Sequence, residues 1–343
     1  MLNEFRQDPI SGIWTLFATG RAKDHIHSAQ PFYQSKEECV FEEISKAFSE
    51  VPVVAYNRGQ KVAWQPGVEW TTLSVQNKFP ALTPGVCVEP HVAGMYMLAN
   101  AHGAHEIVLT RDHEKSFPEF TTEETTEILT VYKERALALA SDGCGAYISI
   151  LHNHGPAAGA TVFHNHSQIL SLPVVPLQVN ESLRRNEAYA QANGKSVFDT
   201  VRDVELADGS RIVYQNDLFY VGCPYASPNP YELRIAPKVS AARFEQTADA
   251  DLPMLADALS AALRAVKKTL NTPDYNFYIH TAPTGQEDLD ECADYRQHAA
   301  EEYGFRALAL KPPLANLNIV LANQNVFTVA VQNPAAARDA NPI

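Results

Sequence analysis

Residues 161–170 read TVFHNHSQIL, which sets His164, His166 and Gln168 at alternate positions among Val162, Phe163, Ile169 and Leu170. Side chains alternate across an extended strand, so the three polar groups would share one face, with Phe163 and Ile169 on the other. Neutral imidazole is well populated near neutral pH and is a good nucleophile. Its attack on the α-phosphorus of a nucleotide would give a phosphoramidate able to hand the nucleotidyl group on. A nearby glutamine can donate to phosphoryl oxygens without offering a proton for hydrolysis, which favours transfer. The lead-in HNHGPAAGATVF supplies what an anion needs. Gly155 and Gly159 let backbone N–H groups come close. Thr161 adds a hydroxyl, and Asn153 an amide at the end of the preceding strand. A polar, solvated edge strand is the competing reading of the same alternation.

The elements that must hold this stripe are strand-like stretches at GIWTLFAT, EIVLTRD and AYISILHNH. Between the last two, FTTEETTEILTVYKERALALAS has apolar spacing at Ile128, Leu129, Tyr132 and Leu137, with Thr121 or Thr122 as N-cap; it predicts a helix. The second half repeats the order. RIVYQNDLFYVGCP alternates like a hairpin, YELRIAPK reads as a strand, DADLPMLADALSAALRAVKKTLN as a helix, and YNFYIHTAP as a strand. EIVLTRDHEKSFPEF lies over ELRIAPKVSAARFEQ, and ECVFEEI over SVFDTV, which predicts a duplicated β-β-α-β unit. Closely spaced strands imply antiparallel pairing, so the expected class is α+β with mainly antiparallel sheets flanked by helices. The expected halves are residues 1–178, carrying the nucleophile, and 179–343, joined by the Pro-rich LPVVPLQV; one continuous domain is the alternative.

With 343 residues, 45% hydrophobic and 20% charged, the chain can bury a sizeable core. A formal charge of −13 argues against sequence-independent nucleic-acid binding, which needs clustered Lys and Arg. It leaves room for a small anionic ligand in a locally positive pocket. No apolar run approaches the roughly 20 residues of a membrane helix, and MLNEFRQDPISG lacks the layout of a secretory signal. Cys39, Cys87, Cys144, Cys223 and Cys292 are odd in number and scattered, which points to a reducing cytoplasm rather than a disulfide framework.

GATVFHNHSQIL resembles the active-site strand of the galactose-1-phosphate uridylyltransferase family, a branch of the histidine-triad superfamily whose motif reads His-Pro-His-x-Gln. RQDPISGIWTLFATGRAKDH is similar to that family's amino-terminal segment, NKFPAL to its nucleotide-contacting loop, RDHEKSFPEF to its Asp-His segment, and CPYASPNPYELRIAPK to the start of its second half. The likeness spans residues 5–285. It implies a fold of two histidine-triad-like units, with His166 as the nucleophile. The backbone at His164 would orient that ring, and Gln168 would hold the phosphoryl oxygens. It further implies phosphate contacts from Asn153, Gly159 and Thr161, a basic residue at Arg21, and base and ribose contacts from Asn77 and Phe79. A homodimer is implied as well.

The departures are as informative. Many relatives carry C-x-x-C near the first strand; here the segment is CVFE, so Glu42 stands where the second cysteine would be. With His113 and His164, Cys39 and Glu42 could hold one structural zinc tetrahedrally, bracing His164; the chemistry itself requires no cofactor. A metal-free site is the alternative. In the second half SVFD replaces C-x-x-C, YGFRALALKPP has no histidine, and only His280 and Glu181 match the second-metal positions, so no metal is expected there. NLNIVLANQNVFTVAVQ lacks the hexose-binding pattern, which puts galactose in doubt. The leading expectation is a nucleotidyltransferase acting between a nucleotide sugar and a sugar 1-phosphate. The alternatives are a phosphorylase of an ADP-sugar or dinucleoside polyphosphate, and a non-catalytic nucleotide-binding protein.

Overall fold

A computed structural model describes residues 3–7, 14–18, 33–44, 48, 51–86, 90–141, 145–227, 231–271, 273–284 and 326–331. In chain order the strands begin with β1 (Asn3–Gln7), β2 (Trp14–Ala18), β3 (Val54–Asn57), β4 (Gln60–Val62) and β5 (Thr72–Gln76). They continue with β6 (His91–Ala93), β7 (Tyr96–Asn100), β8 (Ala104–Thr110), β9 (Tyr147–His154) and β10 (His166–Leu172). The second half holds β11 (Ile212–Gln215), β12 (Phe219–Gly222), β13 (Leu233–Pro237), β14 (Tyr275–His280) and β15 (Val326–Val331). The helices are α1 (Thr122–Ser141), α2 (Leu177–Asn193), α3 (Val197–Asp208) and α4 (Leu252–Leu270).

Eleven strands form one sheet in the order β11-β12-β13-β15-β14-β9-β10-β8-β5-β3-β4; a smaller sheet runs β2-β1-β7-β6. Every ladder in both sheets is antiparallel. The α+β class follows, and so does the repeat. In β8-α1-β9-β10 the last strand inserts between the first two; in β13-α4-β14-β15 it does the same, and the units meet at the β9–β14 pair.

The two faces of the large sheet are set by the alternation along its strands. One face carries Val108, Ile148, Ile150, Ile169, Phe277 and Ile279 and packs on α1 and α4 through Leu129, Tyr132, Leu259 and Leu263. Each such side chain, fully buried, contributes roughly 1.5–3 kcal/mol. Thr121 caps α1 as expected: its Oγ1 accepts the Glu124 N–H at 3.2 Å while Glu124 accepts the Thr121 N–H at 2.8 Å.

The opposite face is apolar at both ends, where Cys39, Phe41, Ile44 and Phe48 cover Leu73, Val75 and Leu109, and where Phe5, Leu82, Val179 and Leu183 cover Leu170 and Leu172. Its middle is polar.

Two expectations need correction. LPVVPLQV does not run on as a linker, because α2 begins at Leu177 and α3 follows at Val197. Their signal is weak for a physical reason: α2 buries only Val179, Leu183 and Asn186, and α3 buries nothing. The strand expected over residues 161–170 starts only at His166, so Thr161 and His164 lie outside it.

Register around the polar middle is locked by a buried ion pair. Arg135 of α1 donates twice to Glu106 of β8, at 2.8 Å each, and Ser74 of β5 donates to the same carboxylate at 2.8 Å. Glu106→Ala would take the doubly bonded carboxylate from the Arg135 guanidinium and is expected to cost about 3–5 kcal/mol in chemical denaturation, more than Glu106→Gln. A loss below about 1 kcal/mol, the scale of an exposed pair, would contradict this account.

Candidate functional site

His166 opens β10, and its Nδ1 donates to the carbonyl of His164 at 2.9 Å. That bond spends the Nδ1 hydrogen, so the neutral ring carries its lone pair on Nε2. Burial pushes the His166 pKa below the ordinary histidine value, against a smaller opposing pull from the His164 carbonyl. The neutral form is thereby favoured. The edge of Phe41 packs against the ring, with centroids 5.2 Å apart. Behind the strand, Tyr132 donates to the Ser167 hydroxyl, which lies 3.0 Å from His152 Nδ1. Burial drives the His152 pKa well down, so this brace is neutral too.

His166 and Gln168 share a face, as the alternation predicts, but His164 does not join them. It turns into a buried cluster before the strand begins. His164 Nδ1 lies 3.5 Å from Cys39 Sγ, 3.3 Å from His113 Nδ1 and 3.6 Å from Glu42 Oε1, which is itself 3.3 Å from His113 Nδ1. The outer nitrogens are occupied: His164 Nε2 donates to Thr110 O at 2.6 Å, and His113 Nε2 to Gln34 O at 2.7 Å. Both Nδ1 lone pairs therefore face inward, beside a buried Glu42 oxygen that accepts no hydrogen bond. Burial also raises the Cys39 pKa and lowers that of His164. Lone pairs and a carboxylate converging in a buried space suit a cation, and Cys39, His113 and His164 present ligand atoms within 4.8 Å of one another.

Gln168 Oε1 accepts from His105 Nε2 at 2.8 Å. Asn153 is arranged in the same way, since its Oδ1 accepts from Asn276 Nδ2 at 2.5 Å. Asn276 Nδ2 also donates to Ala158 O at 2.7 Å, which ties the loop before the nucleophile to β14. Both carboxamides thus have their oxygens engaged inside the protein and their NH2 groups left over. The sequence reading missed His105 and Asn276. A signal existed: each is a polar residue capable of hydrogen bonding within a largely buried strand, AHEIVLT and YNFYIH.

The remaining expected residues are scattered in their placement. Gly159 adopts φ +88° at the end of a short turn, a conformation L side chains rarely take. Gly155, at φ +86°, leaves room for the Asp274 carboxylate, which a Cβ would strike and which accepts the Ala157 N–H at 2.6 Å. Part of the glycine loop is therefore already occupied by an internal anion. Thr161 is exposed. Asn77 Oδ1 accepts the Phe79 N–H at 2.9 Å, and the Phe79 ring is exposed. Arg21 lies outside the described residues.

The chain and its fold have counterparts. Residues 2–176 match the family model described as galactose-1-phosphate uridyl transferase, N-terminal domain. An ADP-glucose phosphorylase of Arabidopsis thaliana is 26% identical over 297 residues, covering 82% of this chain and 78% of that protein. A galactose-1-phosphate uridylyltransferase of Thermotoga maritima is 22% identical over 289 residues, covering 83% of each. Among solved structures, a uridylyltransferase superposes with a TM-score of 0.67 at 22% identity, covering 96% of this chain and 86% of the other. The chain belongs to the galactose-1-phosphate uridyl transferase family.

Replacing Asn276 tests the loop tether. Asn276→Ala is expected to cost about 1–3 kcal/mol in urea denaturation by leaving Ala158 O without its donor. Asn276→Asp should cost more, because its carboxylate would face two oxygens. An Asn276→Asp protein as stable as the wild type would refute the tether.

Proposed function

We propose that the protein is a nucleotidyltransferase that carries a nucleoside monophosphate on His166 between a nucleotide sugar and a sugar 1-phosphate. The observation that carries this reading is the Nδ1 bond to the His164 carbonyl, which places the lone pair of the neutral ring on Nε2. In the first half-reaction Nε2 attacks the α-phosphorus; the N–P bond forms, the bond from that phosphorus to the bridging oxygen breaks, and a sugar 1-phosphate leaves. In the second, a phosphate oxygen of the acceptor attacks, the N–P bond breaks, and the ring returns to its starting state. The hydrogen stays on Nδ1, donated to the His164 carbonyl, throughout. Gln168 and Asn153 donate N–H groups to the phosphoryl oxygens, and the lead-in at Gly159 and Thr161 lies along the phosphates. Asn77 and Phe79 face the nucleoside, and Arg21 supplies positive charge at the phosphate end. In this reading the enzyme is a cytoplasmic homodimer.

A second acceptor is supported by the Arabidopsis relative, whose name is ADP-glucose phosphorylase. Inorganic phosphate attacking the same intermediate would release a nucleoside diphosphate. Isotope exchange separates the two: labelled sugar 1-phosphate exchanges into nucleotide sugar in either case, whereas only a phosphorylase incorporates labelled orthophosphate into nucleoside diphosphate.

The Cys39, Glu42, His113 and His164 cluster is proposed to hold one structural zinc. Ligands of a tetrahedral zinc stand about 3.3–3.6 Å apart, given Zn–N and Zn–S lengths of about 2.0 and 2.3 Å. The separations of 3.3, 3.3, 3.5 and 3.6 Å found here match that spacing. When bound, zinc would brace the segment whose carbonyl holds His166, without entering the chemistry.

Incubation with UDP-glucose or ADP-glucose is expected to leave an acid-labile, base-stable nucleotidyl adduct on His166. His166→Ala should form none, and Gln168→Ala should slow formation by about 10²–10³-fold. Turnover by His166→Ala would sink the proposal. Metal analysis is expected to find about one zinc per chain, lost in Cys39→Ala together with several degrees of thermal stability. Protein that folds and retains full stability after chelation would refute the metal assignment.

A further inference from the structure

The side chain that decides which end of Gln168 meets a ligand is His105, a residue of β8 that is 1% exposed. The backbone N–H of Ala81 donates to its Nδ1 at 3.1 Å. A main-chain N–H can only donate, so Nδ1 must carry the ring's lone pair, and in the neutral imidazole the hydrogen sits on Nε2. Nε2 is 2.8 Å from Gln168 Oε1, so the ring donates and the amide oxygen accepts. The glutamine is left with its NH2 group facing outward. Without such a partner a carboxamide turns freely through two nearly isosteric orientations, and one of them aims an oxygen at an anion.

Asn77 sharpens the argument. Its Oδ1 is engaged by the Phe79 N–H, and its Nδ2 stands 3.1 Å from the same His105 Nε2. Two donors face each other there, so of these two amides only Gln168 accepts from His105, and the Asn77 NH2 remains for a ligand. Ala81 belongs to the apolar cluster that covers one end of this face, alongside Leu82 and Leu170, so the ring is set by packing as well as by hydrogen bonds.

We propose that His105 is a positioning residue for nucleotidyl transfer: the chain Ala81 N–H to His105 to Gln168 presents Gln168 as a donor only, toward the phosphoryl oxygens handled by His166. The proposal rests on the transferase reading above. It also explains why the motif uses a glutamine held by a neutral ring, since a glutamate there would set a carboxylate against the transferred phosphoryl group.

The test measures, by rapid quench, the rate of adduct formation on His166 with UDP-glucose and ADP-glucose, and the affinity for each donor by titration on His166→Ala backgrounds. His105→Ala is expected to slow adduct formation about 10- to 100-fold, as a misplaced group does, while donor affinity stays within about threefold, the signature of an interaction made mainly in the transition state. His105→Gln, which restores an N–H donor toward Gln168, should recover most of the rate. In a Gln168→Ala background His105→Ala should cost nothing further, because residues acting through one contact are not additive. If His105→Ala does not fold, the cycle between His105→Phe, which removes the ring N–H at similar volume, and Gln168→Ala gives the same coupling. A wild-type rate in His105→Ala, or a loss that adds fully to that of Gln168→Ala, overturns this proposal while leaving the wild-type adduct in place. Absence of any adduct in the wild type overturns the transferase reading itself.

Discussion

The hydrogen bond from His166 Nδ1 to the carbonyl two residues earlier is the constraint on which the site depends. It fixes the tautomer of a titratable side chain, so that the neutral form favoured by burial carries its lone pair on Nε2. A carbonyl can play this part only if the backbone carrying it is itself immobile. That is why the surroundings of His164 matter: its ring is buried, bound to Thr110 O, and gathered with Cys39, His113 and Glu42. The residue two before the nucleophile thus serves through its main chain on one side and its side chain on the other.

The same logic of engaging one end of a polar group to define the other recurs across the face. Asn276 takes the oxygen of Asn153 and His105 that of Gln168, leaving donors toward the centre. A chain with a net charge of −13 can in this way offer an anion a local field of N–H dipoles, with no cluster of cations among these four residues. The apolar clusters flank these bonds at both ends of the face, and the Arg135–Glu106–Ser74 contact on the reverse side keeps β5, β8 and α1 in register beneath them. The faces of the sheet are therefore specialised: one is an apolar seat for two helices, the other a polar strip between two apolar margins.

Much of this was legible because it is local or periodic. The period-2 pattern placed His166 and Gln168 together, and the capped apolar repeat placed α1. The repeated order of elements placed the second unit against the first, where β9 and β14 join the two into one sheet. Other features were not legible, and for identifiable reasons. The helices α2 and α3 bury too little to imprint a stripe. His164 was assigned to the strand because alternation continues past the point where the ladder stops; the polar neighbours of Asn165 gave no warning of that end.

By itself the sequence determined the chemistry on offer: an imidazole and an amide at strand spacing, a glycine-bearing approach, and four metal-capable side chains brought to notice by the family likeness. Only the tertiary structure decided how those groups are oriented. The orientation of a carboxamide and the tautomer of a ring depend on partners far away in the chain, Ala81 and His105 for Gln168, and Asn276 for Asn153. Hydrogen-bond direction is a property of pairs, and pairs drawn from separate strands exist only once the sheet has formed.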